Sequence, residues 1–415
     1  MFRNSPRSLQ QRTNVDRMGQ PAFTGSERNI MGLTGVGHLG CHLAMLTFPT
    51  VAISIASEEQ LPLESVLGWS FLGYLLFGLG ALPVGYLTDK LSAKWIVRVG
   101  VLGIGPAMML VSLFPPGPLL ALPLAIVGLF ASLYHPAGLG LITRTTSLRG
   151  TALGINGLLG NIGIAGAPLV ASLATLQWGW KGAYLAIGSF LLGLGILVST
   201  LPIKETYSNQ PTKVNEQNYP PNRLKLFLIL LIAMMMGGLT YRAATVAHPA
   251  YFAEKISFLG YGTATSLVFA FGSLGQIIGG RVADRYDLRL LYLLFHGFTV
   301  PLVLCMAAIS GAALLSVSGV FLFFSFGMQP IENSLVARLT PDRWRSTAYG
   351  IKFTVVFALG SLAVGAVKVI IENFSVGTVF LAMGATTFLT FVFASALYFY
   401  PSINSFLNRP EAGSR

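Results

Sequence analysis

Long apolar runs alternate with short polar loops along nearly the whole chain. Twelve such runs have roughly the 20–25 residues that a helix needs to cross ~30 Å of hydrocarbon. They fall at 30–55, 65–87, 95–114, 118–142, 150–175 and 180–201, then at 224–252, 260–283, 289–309, 312–337, 346–371 and 376–400. Residues 1–27 read as a polar basic tail carrying Arg3, Arg7, Arg12 and Arg17, too poor in apolar residues for the core of a signal peptide. A polar linker with Pro211, Pro220 and Pro221 occupies 202–223, and a second tail occupies 401–415. The pattern predicts an all-α integral membrane protein of twelve transmembrane helices, in six-helix bundles at 28–201 and 224–400.

The two bundles echo each other. The loop Gly85–Lys94 (GYLTDKLSAK) returns as Gly280–Arg289 (GRVADRYDLR), with Asp89 and Asp284 195 positions apart (284 less 89). Arg149–Gly154 (RGTALG) returns as Arg345–Gly350 (RSTAYG) at an offset of 196 (345 less 149). Two separate pairs at nearly one offset imply an internal duplication, the pseudo-symmetry common among transporters.

Composition narrows the classes. Hydrophobic residues make up 53% of the chain and charged ones 10%, against about 25% charged in soluble domains. The net charge of +12 could suit nucleic acid, but the basic residues flank the spans and lack the interleaved aromatics of a nucleic-acid groove. Of the 27 Lys and Arg, 22 sort to one side of the membrane, all but Lys181, Lys255, Lys368, Arg242 and Lys352. The positive-inside rule then puts both termini in the cytoplasm, with a bacterial inner membrane as the expected location. Cys41 and Cys305 lie within apolar runs and are not expected to form a disulfide. No nucleophile–base pair or metal-ligand cluster stands outside the spans, so neither an enzyme nor a metal site is expected.

The loop at 85–94 resembles the loop 2–3 motif of the major facilitator superfamily, and the echo at 280–289 keeps its Gly, Asp and basic positions. The resemblance implies two six-helix bundles that open alternately to either face. By carry-over, Asp89 caps the helix beginning near Ser346 and Thr347, and Asp284 the one near Gly150 and Thr151. With Gly85, Lys90, Lys94, Gly280, Arg285 and Arg289 they would form a cytoplasmic gate. In the fifth span, Gly154, Gly163 and Pro168 resemble the antiporter motif of the superfamily's exporters, although Ala167 replaces its usual Gly. The stretch Ala131–Gly138 (ASLYHPAG) and the Gly160–Gly163 stretch (GNIG) look like the fosmidomycin-resistance branch.

Ionisable residues within spans are costly, and each is a functional candidate. His38 and His42 lie four apart on one face of the first span. His135 is in the fourth span, Asn156 and Asn161 in the fifth, Arg242 in the seventh, Gln329 and Glu332 in the tenth, and Lys352 in the eleventh. His296 is expected to make an interhelical hydrogen bond. Arg242 and Lys352 outnumber Glu332, which points to an anionic substrate. The histidines and Glu332 are candidates for proton coupling. Glu332 pairing with Arg338 or Lys352 is the plainer alternative. A first span without Asp or Glu disfavours lipophilic cations. Proton-linked export of a small organic anion or drug is expected, with uptake by symport or a non-transporting receptor as alternatives. The proton gradient takes the place of a cofactor, and the chain is expected to act as a monomer.

Overall fold

The structure, a computed structural model, describes residues 23–61, 63–146, 148–205, 220 and 222–400. The basic tail at 1–22, most of the linker and residues 401–415 lie outside the described residues. Among the described residues, ten helices are long and apolar enough to cross a membrane. Arg149–Ser199 supplies two spans rather than one. At 51 residues it would run about 76 Å at 1.5 Å per residue, well over twice a bilayer. Gly179, at φ 69 and ψ 169, breaks it into a fifth and a sixth span. The eleventh span is segmented into shorter pieces: Arg345–Phe353, a π-helical stretch Thr354–Leu359, then Leu362–Asn373. Twelve spans result, and the chain is a multi-pass membrane protein.

The first span is Gly25–Glu58. It begins with a capping box in which Glu27 N–H donates to Thr24 Oγ1 (3.2 Å) and Thr24 N–H donates to Glu27 Oε2 (2.7 Å). Phe71–Lys90 and Ala93–Val111 are the second and third spans, and Pro118–Thr145 is the fourth. The second is interrupted at Gly80 and the fourth at Leu133. In the second half the spans are Arg223–Lys255, Tyr261–Ala283, Leu288–Met306 and Gly311–Leu339, followed by the segmented eleventh and by Val376–Tyr398. Large apolar side chains such as Leu113, Leu176, Leu197 and Phe298 point outward and exposed. That reverses the soluble pattern and suits contact with lipid.

Glycines let the halves approach closely. A Cβ on Gly150, Gly154 or Gly157 would meet Gly280, Gln276 or both in the eighth span, whereas one on Gly160 or Gly163 would strike His38 or Leu39 in the first. The glycine-rich fifth span therefore packs on both bundles at once, one turn further along for each partner. Pro168 sits inside the continuous helix, beyond these contacts.

Candidate functional site

Two carboxylates bind the halves together on the face that carries the charged loops. Asp89, at the end of the second span, accepts from Ser346 N–H (2.9 Å), Thr347 N–H (2.6 Å) and Thr347 Oγ1 (2.7 Å). Arg144 in the fourth span adds an ion pair at 3.0 Å and donates to Ser346 Oγ at 2.8 Å. Across the pseudo-two-fold axis, Asp284 accepts from Gly150 N–H (2.7 Å), Thr151 N–H (2.7 Å) and Thr151 Oγ1 (2.6 Å). In both latches an anion sits on the unpaired N–H groups of a helix start in the opposite half, where the helix dipole favours negative charge. Gly85 is required at its place because a Cβ would run into the Ser346 carbonyl. Gly280 is required in the same way against the Gly150 carbonyl.

The basic residues expected to complete this network do so only in part. Lys90 lies over the Tyr86 ring at 4.5 Å, and Lys94 Nζ donates to the Ile203 carbonyl at 3.4 Å. Arg289 pairs with Asp287 at 3.2 Å within its own half. Arg285 makes no ion pair among the described residues. Arg144, in the fourth span, takes the place assigned to them, reaching both Asp89 and Ser346. Its echo Arg338, 194 positions on (338 less 144), is the sequence signal that could have found it.

Between the halves lies a cavity of ≈ 100 Å³. His38, His42, His135 and Asn156 border it from the first half, and Gln276, Gln329, Glu332, Asn333 and Lys352 from the second. Lys352 Nζ is 2.6 Å from Glu332 Oε1, with both side chains 4% exposed. Lys352 also donates to Asn333 Oδ1 (2.5 Å), and the Tyr292 hydroxyl donates to Glu332 Oε2 (2.9 Å). Gln276 Nε2 donates to Gln329 Oε1 at 2.9 Å, leaving Gln276 Oε1 buried with no protein partner. His296 contacts the Tyr292 ring edge-on at 4.5 Å, but its Nε2 has no hydrogen-bond partner, contrary to the interhelical bond expected of it.

The three histidines converge. Their ring centroids lie 4.9, 5.1 and 5.2 Å apart, and one ring nitrogen from each lies within 4.8 Å of the others. His38 Nδ1 lies 2.8 Å from the Asn156 backbone carbonyl and 3.0 Å from Asn156 Oδ1. Two facing acceptors require Nδ1 to carry a hydrogen. The Tyr134 hydroxyl donates to the same Oδ1 at 2.6 Å, and its ring stacks on His38. The three histidines lie within the spans, whereas the expectation from the sequence concerned clusters outside them. His135 is 93 positions beyond His42 (135 less 42), and only the fold brings it to the pair.

Arg242 and Asn161 do not border the cavity. Asn161 is buried with its Nδ2 unpartnered. The Arg242 guanidinium lies over the Tyr74 ring at 5.2 Å. Tyr74 belongs to the opposite half, where its hydroxyl donates to the Met45 carbonyl at 2.8 Å, and it sits at the end of the second span far from Asp89. The halves therefore also touch beyond the cavity. Around the cavity Glu332 faces Lys352, and the Arg242 guanidinium is turned to an aromatic partner.

The family model described as Major Facilitator Superfamily matches residues 35–364 and 227–414. The fosmidomycin resistance protein of Escherichia coli (strain K12) is 25% identical over 213 residues, covering 49% of this chain and 52% of that protein. Multidrug efflux pump Tap of Mycolicibacterium fortuitum is 28% identical over 169 residues, covering 36% and 40%. The matched part thus spans about half or less of these relatives' length. Among solved structures, the human organic anion transporter MFSD10 (TETRAN) aligns with TM-score 0.68 at 15% identity, over 89% of this chain and 99% of that one. The E. coli fucose:proton symporter FucP aligns at 0.65 with 14% identity, over 89% and 98%.

Proposed function

The chain belongs to the Major Facilitator Superfamily, whose matched members are transporters and not enzymes, and on that footing we propose that it exports a small polar organic compound in exchange for protons. The two bundles rock about the cavity, and the Asp89 and Asp284 latches hold its cytoplasmic side closed. The distribution of Lys and Arg supports that orientation in a bacterial inner membrane. Two relatives named for drug resistance and efflux support the outward direction.

The observation that carries the exchange is the buried Lys352–Glu332 pair at 2.6 Å. A solute seated between them offers a donor to the carboxylate and an acceptor to the ammonium, which requires Glu332 to be ionised. A proton on Glu332 removes that acceptor. Solute and proton then compete, which is the condition for exchange. This suits a neutral or zwitterionic compound better than the anion expected from counting charges. An anion is instead drawn to Lys352 when Glu332 is protonated, so anion and proton would bind together. Uptake of an organic anion with a proton is the second reading, supported by the same pair.

One experiment separates the two. Full-length protein is reconstituted in vesicles loaded with a pH dye. Fosmidomycin, which is a phosphonate, and a panel of neutral and zwitterionic polar compounds are added outside. Exchange raises the internal pH as a compound enters, whereas cotransport lowers it. Compound entry with no pH change would remove proton coupling altogether.

A further inference from the structure

We infer that His38, His42 and His135 form a binding site for a divalent transition cation of the zinc class, with a coordination position open to the cavity. The inference uses the same cavity as the transport proposal but does not depend on exchange at Glu332.

Three features of the triad suit a metal. The rings come from two spans in a near-equilateral triangle, with ligating nitrogens no more than 4.8 Å apart. Three nitrogens around zinc at 2.0–2.1 Å in tetrahedral geometry are about 3.3 Å apart, so closing the site asks each nitrogen to move inward by about 1 Å. Secondly, His38 is already oriented as a ligand. Its Nδ1–H is held by the backbone and side-chain oxygens of Asn156, which leaves Nε2 with the free lone pair, and Tyr134 fixes that Asn156 oxygen in turn. A ligand imidazole commonly has its second nitrogen held in this way by an oxygen acceptor. Thirdly, His135 is 3% exposed and its Nδ1 has no hydrogen-bond partner. A buried polar atom left unpaired is costly, and a metal bond would satisfy it.

The donor set selects the cation. Three imidazoles without a carboxylate favour Zn²⁺, Co²⁺, Ni²⁺ or Cu²⁺ over the oxygen-seeking Mg²⁺ and Ca²⁺. Neutral imidazoles leave the ion's charge uncompensated, and Glu332 is engaged by Lys352. The open position therefore suits an anionic oxygen donor such as a carboxylate or phosphonate. Phe353 and Phe357 of the eleventh span pack against His135 with centroids at 4.4 and 5.2 Å, so ligation there reaches the second half.

The test uses the full chain, free of any polyhistidine tag, in lipid nanodiscs after treatment with a chelator. Co²⁺ is titrated in while its visible ligand-field absorption is followed, and Zn²⁺, Mg²⁺ or Ca²⁺ is then added. The expected result is saturation at one equivalent, displacement by Zn²⁺ alone, and affinity at least tenfold weaker in His42→Ala and His135→Ala. His135→Gln keeps a polar side chain in case the alanine variant fails to fold, and Asn156→Ala should weaken binding through His38. The inference is overturned by the lack of a saturable band, by binding that survives His135→Gln, or by displacement with Mg²⁺. Vesicle pH changes report exchange at Glu332 separately, so either proposal can fail without the other.

Discussion

Replacing Asp89 with Asn should open the latched face, and the size of the effect can be worked from its contacts. The carboxylate accepts four hydrogen bonds, two from helix-terminal N–H groups, one from Thr347 Oγ1 and one from Arg144. A hydrogen bond to a charged group contributes roughly 1.5–3 kcal/mol net. An amide keeps one acceptor oxygen but turns an NH₂ toward donors and loses the attraction to the helix dipole, itself worth about 0.3–2 kcal/mol. Losing one charged bond and most of the dipole term gives about 3 kcal/mol. At 1.4 kcal/mol per factor of ten, the balance between closed and open states shifts by about a hundredfold. Spin labels at Lys90→Cys and Arg343→Cys, in a background lacking Cys41 and Cys305, report the distance between the halves on this face. Both positions are exposed and lie on opposite halves. Asp89→Asn should add a longer distance that is absent from the parent, and adding Asp284→Asn should enlarge it. Identical distance distributions in the parent, the single and the double variant would refute the latch.

Further predictions follow from the packing. Gly85→Ala places a methyl against the Ser346 carbonyl, so the same distance measurement should show the halves forced apart; the overpacking cost is about 1–3 kcal/mol, visible as a lower Tm. Removing Lys352 alone leaves Glu332 buried without its cation and should destabilise by about 3–5 kcal/mol, whereas Lys352→Met with Glu332→Leu should be far milder; thermal melts in detergent compare the two. Arg242→Ala removes a contact between halves worth about 0.5–2 kcal/mol on the side away from the latches. Thiol labelling of a cysteine introduced at Thr240, which borders the cavity, should become faster.

The fold was largely legible because membrane spans and an internal repeat leave long-range regularities in a single chain. The offset between Asp89 and Asp284 predicted two equivalent loops, and their partners at Ser346–Thr347 and Gly150–Thr151 were nameable through the family resemblance of the loop motif. Breaks within spans were harder to read. Gly80 and Leu133 each stand three residues before a proline, Pro83 and Pro136, which removes a helix N–H and crowds the turn before it, whereas the π-helical Thr354–Leu359 has no such mark. In the site, helical spacing paired His38 with His42, but no local pattern could bring in His135 or the supporting Asn156 and Tyr134. How the intramembrane charges pair was harder to read. A tally of cations takes no account of pairing, and Glu332 lies directly against Lys352 while Arg242 finds an aromatic ring. Both distinctions depend on the tertiary packing of the spans.

The competition of solute and proton at Glu332 is tested most directly by measuring two fluxes in the same vesicles, for wild type and for Glu332→Gln. A compound that shifts vesicle pH is followed by counterflow, without a gradient, and by uptake driven by an imposed pH difference. The variant, which like the protonated carboxylate offers no ionised acceptor, should lose solute counterflow and the response to the pH gradient alike. Wild-type pH-driven flux in Glu332→Gln would contradict the placement of coupling at this pair.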